Sequence, residues 1–354
     1  FKENANYRWR TFLYKINAQI FKQTKVDQIP QNDLHAIIDD SILRKLGKKI
    51  ENVCYLHDHS LGRSVLGYCI VTLGILTGHG FYPVDFAYYF GKKRNAKTPF
   101  VIGDPRRSSG QRSFEAQKYT KLDLAFMLIE RAVNCGIIPG YVLFDSWYAW
   151  PVLINRIRSL KDKSIHVICR LKNSKVKYEY KGKRYQLCEL YQKVKHQLKK
   201  DRRTGLMLKR ITVLFPDSKE KVVIVFSKGY REPEVEQIKG KKKKKEPKWA
   251  AFLSTDTRLQ AGTIIKKYTL RWPIEVCFKE CKQMLDLGKD QSNSFNGQVF
   301  STTVSFLRYN ILNYINKFEN HATLGGLFDQ ISDQTAVVTY ANRLWDFFHD
   351  LFRT

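Results

Sequence analysis

Acidic side chains are scarce in this chain: 33 Asp+Glu stand against 62 Lys+Arg over 354 residues, a net charge of +29. A cationic excess of that size calls for a polyanionic partner, nucleic acid first and an anionic membrane second. Long apolar runs are missing too. No uninterrupted stretch reaches the roughly 18 residues that a spanning helix needs, and no signal-peptide pattern is present, which argues against a membrane-spanning protein. The longest apolar segment, Val65–Leu76, reads as a core strand. Paired cysteines are absent as well. The seven cysteines are scattered with no Cys-x-x-Cys, and Cys277 and Cys281 have no His or further Cys at zinc-site spacing. That argues against a structural zinc site and favours reduced, mostly buried thiols in a cytosolic protein. No internal repeat stands out. The chain opens on Phe1 instead of Met, so an upstream segment is expected.

What is present suffices for one large core or two smaller ones, with 43% hydrophobic and 13% aromatic residues. Residues 4–24 place Trp9, Leu13, Ile16, Ile20 and Phe21 at helical spacing, a helical remnant filling residues 1–30. Residues 31–173 read as the first part of an α/β core. Leu34–Ser41 is a short apolar strand ending in Asp39 and Asp40, and either acid could instead cap the next turn. Val65–Leu76 and Phe81–Tyr89 form a hairpin around Gly78-His79-Gly80. His57-Asp58-His59 lacks a third ligand and reads as loop hydrogen bonding, not a metal site. Lys92–Arg112 is a polar loop, Ser113–Cys135 a helix, and Tyr141–Phe144 a second apolar strand ending in Asp145. A helix over Trp150–Leu160 and a strand over Ile165–Cys169, closed by Arg170, follow.

Residues 174–248 change texture to alternating, β-branched runs with one helix-like stretch, Leu187–Leu198, and read as a strand-rich insertion. Its end carries five consecutive lysines, Lys241, Lys242, Lys243, Lys244 and Lys245, as a solvated loop tip or a phosphate-contacting loop. Residues 249–318 resume the core with a strand at Trp249–Thr255 and helices at Leu259–Leu270 and Val299–Phe318. Residues 319–354 form a C-terminal helical segment around Gln334–Phe352.

Between those helices runs Tyr268-Thr-Leu-Arg271-Trp272-Pro-Ile-Glu275-Val-Cys-Phe-Lys-Glu-Cys-Lys282. On one helix Tyr268, Arg271, Glu275 and Lys282 would share a face, at about 100° per residue. Pro273 predicts either a helix starting near Trp272 or a kink between Arg271 and Glu275. Alone, the stretch could be an amphipathic surface helix with an ion-pair ladder. The two strand-end aspartates change that. Three acids delivered from Asp39, Asp145 and Glu275 can hold two divalent cations about 4 Å apart across a scissile phosphodiester. All-oxygen ligands select magnesium or manganese over zinc.

These residues resemble the bacterial insertion-sequence transposases of the DDE type whose signature is Y-x2-R-x3-E-x6-K. Tyr268, Arg271, Glu275 and Lys282 match it at every spacing. Asp39-Asp40-Ser41 fits the family's Asp-x-Ser/Thr, with Asp39 as the ligand, and Asp145-Ser-Trp-Tyr148 fits its second acid. The resemblance spans roughly residues 8–315. It implies a ribonuclease-H-like mixed sheet flanked by helices, with a β-strand-rich insertion before the last catalytic helix. It also implies two Mg²⁺ ions, with Mn²⁺ as substitute, on Asp39, Asp145 and Glu275. Tyr268, Arg271 and Lys282 would contact phosphates near the cleaved end. Trp272 and Trp147 would either stack on a base or pack in the core. The implied activity is cut-and-paste transposition: cleavage at transposon ends, then strand transfer into target DNA. The partners would be double-stranded DNA and a second copy of the chain assembled on it, in the bacterial nucleoid. Relatives carry an N-terminal DNA-binding region of some tens of residues ahead of the helix at 4–24, which is missing or truncated here. The alternatives are a non-catalytic DNA-binding protein derived from a transposase and a structure-specific nuclease on the same core.

Overall fold

The computed structural model describes residues 4, 6–58, 61–91, 93–94, 97–202, 204–229 and 249–319. The lysine run Lys241–Lys245 and the expected C-terminal helical segment from 320 onward lie outside them. The chain divides into two compact units, Phe1–Pro139 with Trp272–Thr354, and Gly140–Arg271.

The first unit begins with α1 (Trp9–Gln23), whose Leu13, Ile16 and Ile20 are fully buried at the expected spacing. Its sheet holds β1 (His35–Arg44), β2 (Cys54–Asp58), β3 (Arg63–Thr77), β4 (Gly80–Tyr89) and the short β5 (Lys93–Arg94). The long β3 carries β1 antiparallel along one edge. Its other edge is shared, β2 pairing with the first half and β4 with the second. β4, and β3 from Gly67 onward, are buried almost throughout, as strands covered on both faces must be, which is why their sequences run apolar without alternation there. Gly74 sits at a register shift against β4, where a Cβ would come within 2.0 Å of the Phe81 ring. Only glycine leaves room for that ring against the strand.

Two expectations need correction here. β1 continues through Arg44, so Asp39 and Asp40 lie inside the strand and not at its end. The predicted helix over Ser113–Cys135 is two helices, α2 (Ser108–Lys118) and α3 (Lys121–Asn134). Thr120 separates them as a helix cap: its hydroxyl accepts from the Asp123 amide at 3.2 Å, while the Asp123 carboxylate accepts from the Thr120 amide at 3.2 Å. Such a reciprocal cap stabilises a helix start by about 1 kcal/mol, enough to outweigh continuation of one apolar stripe. Under these helices Asp85, fully buried, accepts from Arg131 at 2.9 Å, and Glu115 accepts from Arg10 at 2.8 Å.

The second unit opens with β6 (Tyr141–Phe144), followed by α4 (Pro151–Arg158) and β7 (His166–Leu171). β6 and β7 run parallel, Tyr141 opposite His166. The insertion follows as a β8–β9 hairpin (Lys177–Tyr180, Lys183–Gln186), α5 (Leu187–Val194), β10 (Lys199–Lys200), β11 (Met207–Leu214) and β12 (Lys221–Lys228). The core strand β13 (Trp249–Ser254) lies antiparallel between β7 and β12, so the inserted strands extend the same sheet outward. Tyr191 of α5 stacks on Trp249 with ring centroids 4.4 Å apart. The unit closes with α6 (Ala261–Thr269).

The chain then returns to the first unit with α7 (Pro273–Met284) and α8 (Phe295–Glu319). Asn310 of α8 donates to Asn17 of α1 at 3.0 Å and to the Pro83 carbonyl at 2.9 Å, a polar tie in the core joining both helices to β4. The fold is α/β, mixed sheet flanked by helices, with a strand-rich insertion ahead of the signature's last helix. The element order is the expected ribonuclease-H-like one: an antiparallel three-strand meander, helices, then a parallel pair.

Candidate active site

In the first unit, strand alternation puts Asp39 and Ser41 on one face of β1 and Asp40 on the other. Asp40 is occupied by structure. Its Oδ2 accepts from Lys121 Nζ at 2.7 Å and from the Cys69 thiol at 3.3 Å, and both side chains of the ion pair are under a fifth exposed. Asp39 accepts from the Asp40 amide at 2.8 Å. On the face it shares with Ser41 a distant residue arrives: Lys282 of α7 donates from Nζ to Ser41 Oγ at 2.7 Å. Burial, then the positive charge of Arg44, pushes the Lys282 ammonium below its ordinary range. A cation held there under strain of charge is set to gain from a nearby anion.

Glu275 lies in the first turn of α7, where a carboxylate complements the helix dipole, and is neither buried nor fully exposed. Pro273 is the first residue of α7, and α6 has ended at Thr269. The helix therefore starts beside Trp272, the first of the two arrangements that Pro273 allowed, and the four signature residues do not lie along a single helix. Tyr268 belongs to α6 and Arg271 to the connecting turn. Glu275 and Lys282, seven residues apart, share a face of α7. Trp272 is 61% exposed, which corrects the core-packing alternative for that side chain.

In the second unit, Asp145 follows β6 directly, and its Oδ1 accepts from the Trp147 amide at 2.8 Å. Tyr268 is buried, its ring 4.9 Å from Phe252. Burial pushes its phenol up to about 12; Arg271 opposes this by charge and hydrogen bond, Asp145 adds to it, and Arg170 also pulls down. The charges of Arg271, Asp145 and Arg170 thus all act on the Tyr268 phenol. Trp147 is 37% exposed and packs edge-on against Tyr148.

Sequence reasoning missed Lys121 as the partner of Asp40, and Arg44 with Asp58. His57 and Asp58 lie on β2, not in a loop, and Asp58 accepts from Arg44 Nε at 2.9 Å. The thiols Cys277 and Cys281 are buried on α7 with sulfurs 3.8 Å apart, while Cys135 and Cys188 are exposed. Among the described residues no group of three His, Cys, Asp or Glu side chains stands ready to hold a metal ion. The expected ligands Asp39, Asp145 and Glu275 are all carboxylates, a side-chain chemistry that suits magnesium or manganese. No helix among the described residues is long and apolar enough to cross a membrane.

Comparison with known proteins gives two family matches. Residues 4–186 match the family described as DDE superfamily endonuclease, and residues 124–311 the one described as Transposase DDE domain. None of the curated proteins matches the chain. Among solved structures, the NurA nuclease from Sulfolobus solfataricus is similar at 12% identity, over 74% of this chain and 84% of that one, with a TM-score of 0.29, too distant a likeness to bear on function.

Proposed function

Because the chain belongs to the DDE superfamily of transposases and endonucleases, we propose that it is a DNA strand-transferase of the insertion-sequence kind bearing the Y-x2-R-x3-E-x6-K signature. One observation carries this reading. Lys282, at the far end of the signature, bonds Ser41 on the strand and face that carry Asp39. A surface ion-pair ladder would give no reason for that meeting.

In this reading Asp39, Asp145 and Glu275 would hold two magnesium ions. When bound, such ions activate an attacking oxygen and stabilise a leaving one. The chain's own residues do the positioning. Asp40, engaged with Lys121, keeps the neighbouring strand geometry and is not a ligand. Lys282 supplies a point charge and Arg271 a planar fork for phosphate oxygens near the cleaved end. Tyr268, with its phenol protonated at neutral pH, donates a hydrogen bond. Exposed Trp272 offers a face on which an unpaired base can stack. The lysines Lys241–Lys245 add sequence-independent attraction for DNA, and a homodimer forms on the DNA ends. The cytoplasm, with the nucleoid, is the place for such a substrate.

The test is a gel assay that separates cleaved from joined products, using DNA that carries the inverted repeats flanking the coding region. Asp39→Asn, Asp145→Asn and Glu275→Gln should each abolish magnesium-dependent cleavage and joining while DNA binding persists. Full activity in Asp145→Asn would overturn the assignment. Cleavage without joining would favour a nuclease on the same core.

A further inference from the structure

Five charged side chains meet beneath the helices of the first unit: Arg10 on α1, Asp85 on β4, Arg112 and Glu115 on α2, and Arg131 on α3. Two of the three arginines take up both acids. Arg10 donates to Glu115 at 2.8 Å and to Asp85 at 3.4 Å. Arg131 donates to Asp85 at 2.9 Å and stands 3.7 Å from Glu115. The Phe86 amide adds a bond to Asp85 at 2.8 Å. Both carboxylates are therefore fully engaged without Arg112, and the ion pairs of the cluster belong to Arg10 and Arg131 alone.

Arg112 is the most deeply buried of the three, at 1% exposure. Its Nη1 donates to the Phe86 carbonyl at 2.7 Å, and its guanidinium carbon lies 4.2 Å over the Phe86 ring. Its Nε and Nη2 are buried and reach no acceptor among the described residues; Arg131 Nη2 and the Tyr14 hydroxyl are two further buried donors in the same position. Nε and Nη2 form one edge of the guanidinium, the pair of parallel N–H groups that grips an anion from the side. Buried donors are nearly always satisfied, and a buried charge needs a counter-charge. Three guanidinium groups against two carboxylates leave one positive charge over. Burial, then the charge of Arg10, pulls Arg112 down to about 9, which leaves it protonated at neutral pH.

We propose that the Nε–Nη2 edge of Arg112 holds a buried monovalent anion of halide size, chloride being the abundant one. Such an ion accepts from both N–H groups and brings the cluster to neutrality in one step. A water molecule would satisfy the hydrogen bonds and leave the charge. A dianion such as sulfate would reverse its sign. The anion acts as a structural ligand: through Arg112 it fastens α2 onto β4, beside the ties that Arg10 and Arg131 make from α1 and α3. This site lies outside the DNA chemistry proposed above and stands whether or not the chain cleaves DNA.

The experiment compares thermal unfolding of the full chain in sodium chloride and in sodium gluconate at equal ionic strength, so that general screening of the cationic surface is the same in both. An ion that binds only the folded state stabilises it by mass action. With half-saturation at about 10 mM, the Tm in about 100 mM chloride should lie about 3–6 °C above that in gluconate. Arg112→Met removes the surplus charge and both orphan donors but keeps the surface, so its Tm should be the same in the two salts. Crystals grown in sodium bromide give the second measurement: an anomalous peak within hydrogen-bond distance of Arg112 Nε and Nη2. If Arg112→Met fails to fold, the bromide crystal decides alone. Equal Tm of the wild-type chain in the two salts, a chloride effect that Arg112→Met retains, or density for water without a bromide signal at Arg112 would each overturn the proposal.

Discussion

Replacing Lys282 by Met separates a strut from a substrate contact. The ammonium donates to Ser41 Oγ at 2.7 Å, and a hydrogen bond from a charged group is worth about 1.5–3 kcal/mol. Against this stand the cost of burying the charge and the repulsion of Arg44, both visible in the lowered pKa of Lys282. The two oppose each other, and Met keeps the packing of the aliphatic stem. The expected stability change is therefore within about 1 kcal/mol, a shift of some 2–4 °C in Tm for a unit of this size. Catalysis should respond far more. Removing a preorganised positive group from a phosphoryl-transfer site costs on the order of 100-fold or more in rate. The binding isotherm should also lose about 0.9 from its slope of log K against log salt, one phosphate contact. Thermal unfolding, a cleavage time course and a salt series on the same protein test all three. A Tm drop above 10 °C with cleavage lost only in proportion to unfolded protein would make Lys282 a structural residue and remove it from the site.

Asp40→Asn tests the choice between the two adjacent acids: leaving Lys121 without its carboxylate should cost about 2–3 kcal/mol in chemical denaturation, while cleavage per folded molecule persists, unlike in Asp39→Asn. Asp85→Asn should destabilise more, by about 3–5 kcal/mol, because Arg131 and Arg10 then face only Glu115 in a buried site; a loss below about 1 kcal/mol would show that the cluster is hydrated. Stability should fall steeply above pH 10. Burial raises Tyr82 and Tyr268 to about 12 and Tyr14, Tyr68, Tyr88, Tyr178 and Tyr309 further. The unfolded chain gives up these protons first, so each such group removes up to about 1.4 kcal/mol per pH unit between the unfolded value near 10 and its folded value. Denaturation midpoints measured from pH 8 to 12 check this, and a flat profile would refute it.

Much of the fold was legible because its strands have one reading. Val65–Leu76 and Phe81–Tyr89 are apolar at nearly every position, with a Gly-His-Gly turn between them, and a hairpin is the economical way to bury both. The break at Thr120 was less visible: the apolar stripe continues across it, and only the Thr-x-x-Asp pair marks the boundary. The length of β1 was hidden for a related reason. Asp39, Asp40 and Ser41 look like a strand's end by composition, yet the register with β3 runs unbroken to Arg44 opposite Gly67. Tertiary pairing overrides the local preference of aspartate for strand ends. The ion pair of Asp40 with Lys121 spans 81 residues and leaves no trace in spacing.

The signature stretch shows how one spacing can serve two arrangements. Three- and four-residue steps suggest a continuous helix, and they would persist in sequence if the helix were broken between Arg271 and Glu275 without insertion. Pro273 makes that break at little cost, because a first helical turn has no use for the missing amide. What the break achieves is a division of labour. Tyr268 is built into the second unit, against Phe252 and within the field of Asp145, while Lys282 is built into the first, on Ser41. Each anchor is a buried or half-buried contact with a core strand, β13 for Tyr268 and β1 for Lys282. Amphipathicity would have produced solvated charges on an outward face. The spacing is thus better explained by what each end of the stretch must reach than by the helix it resembles.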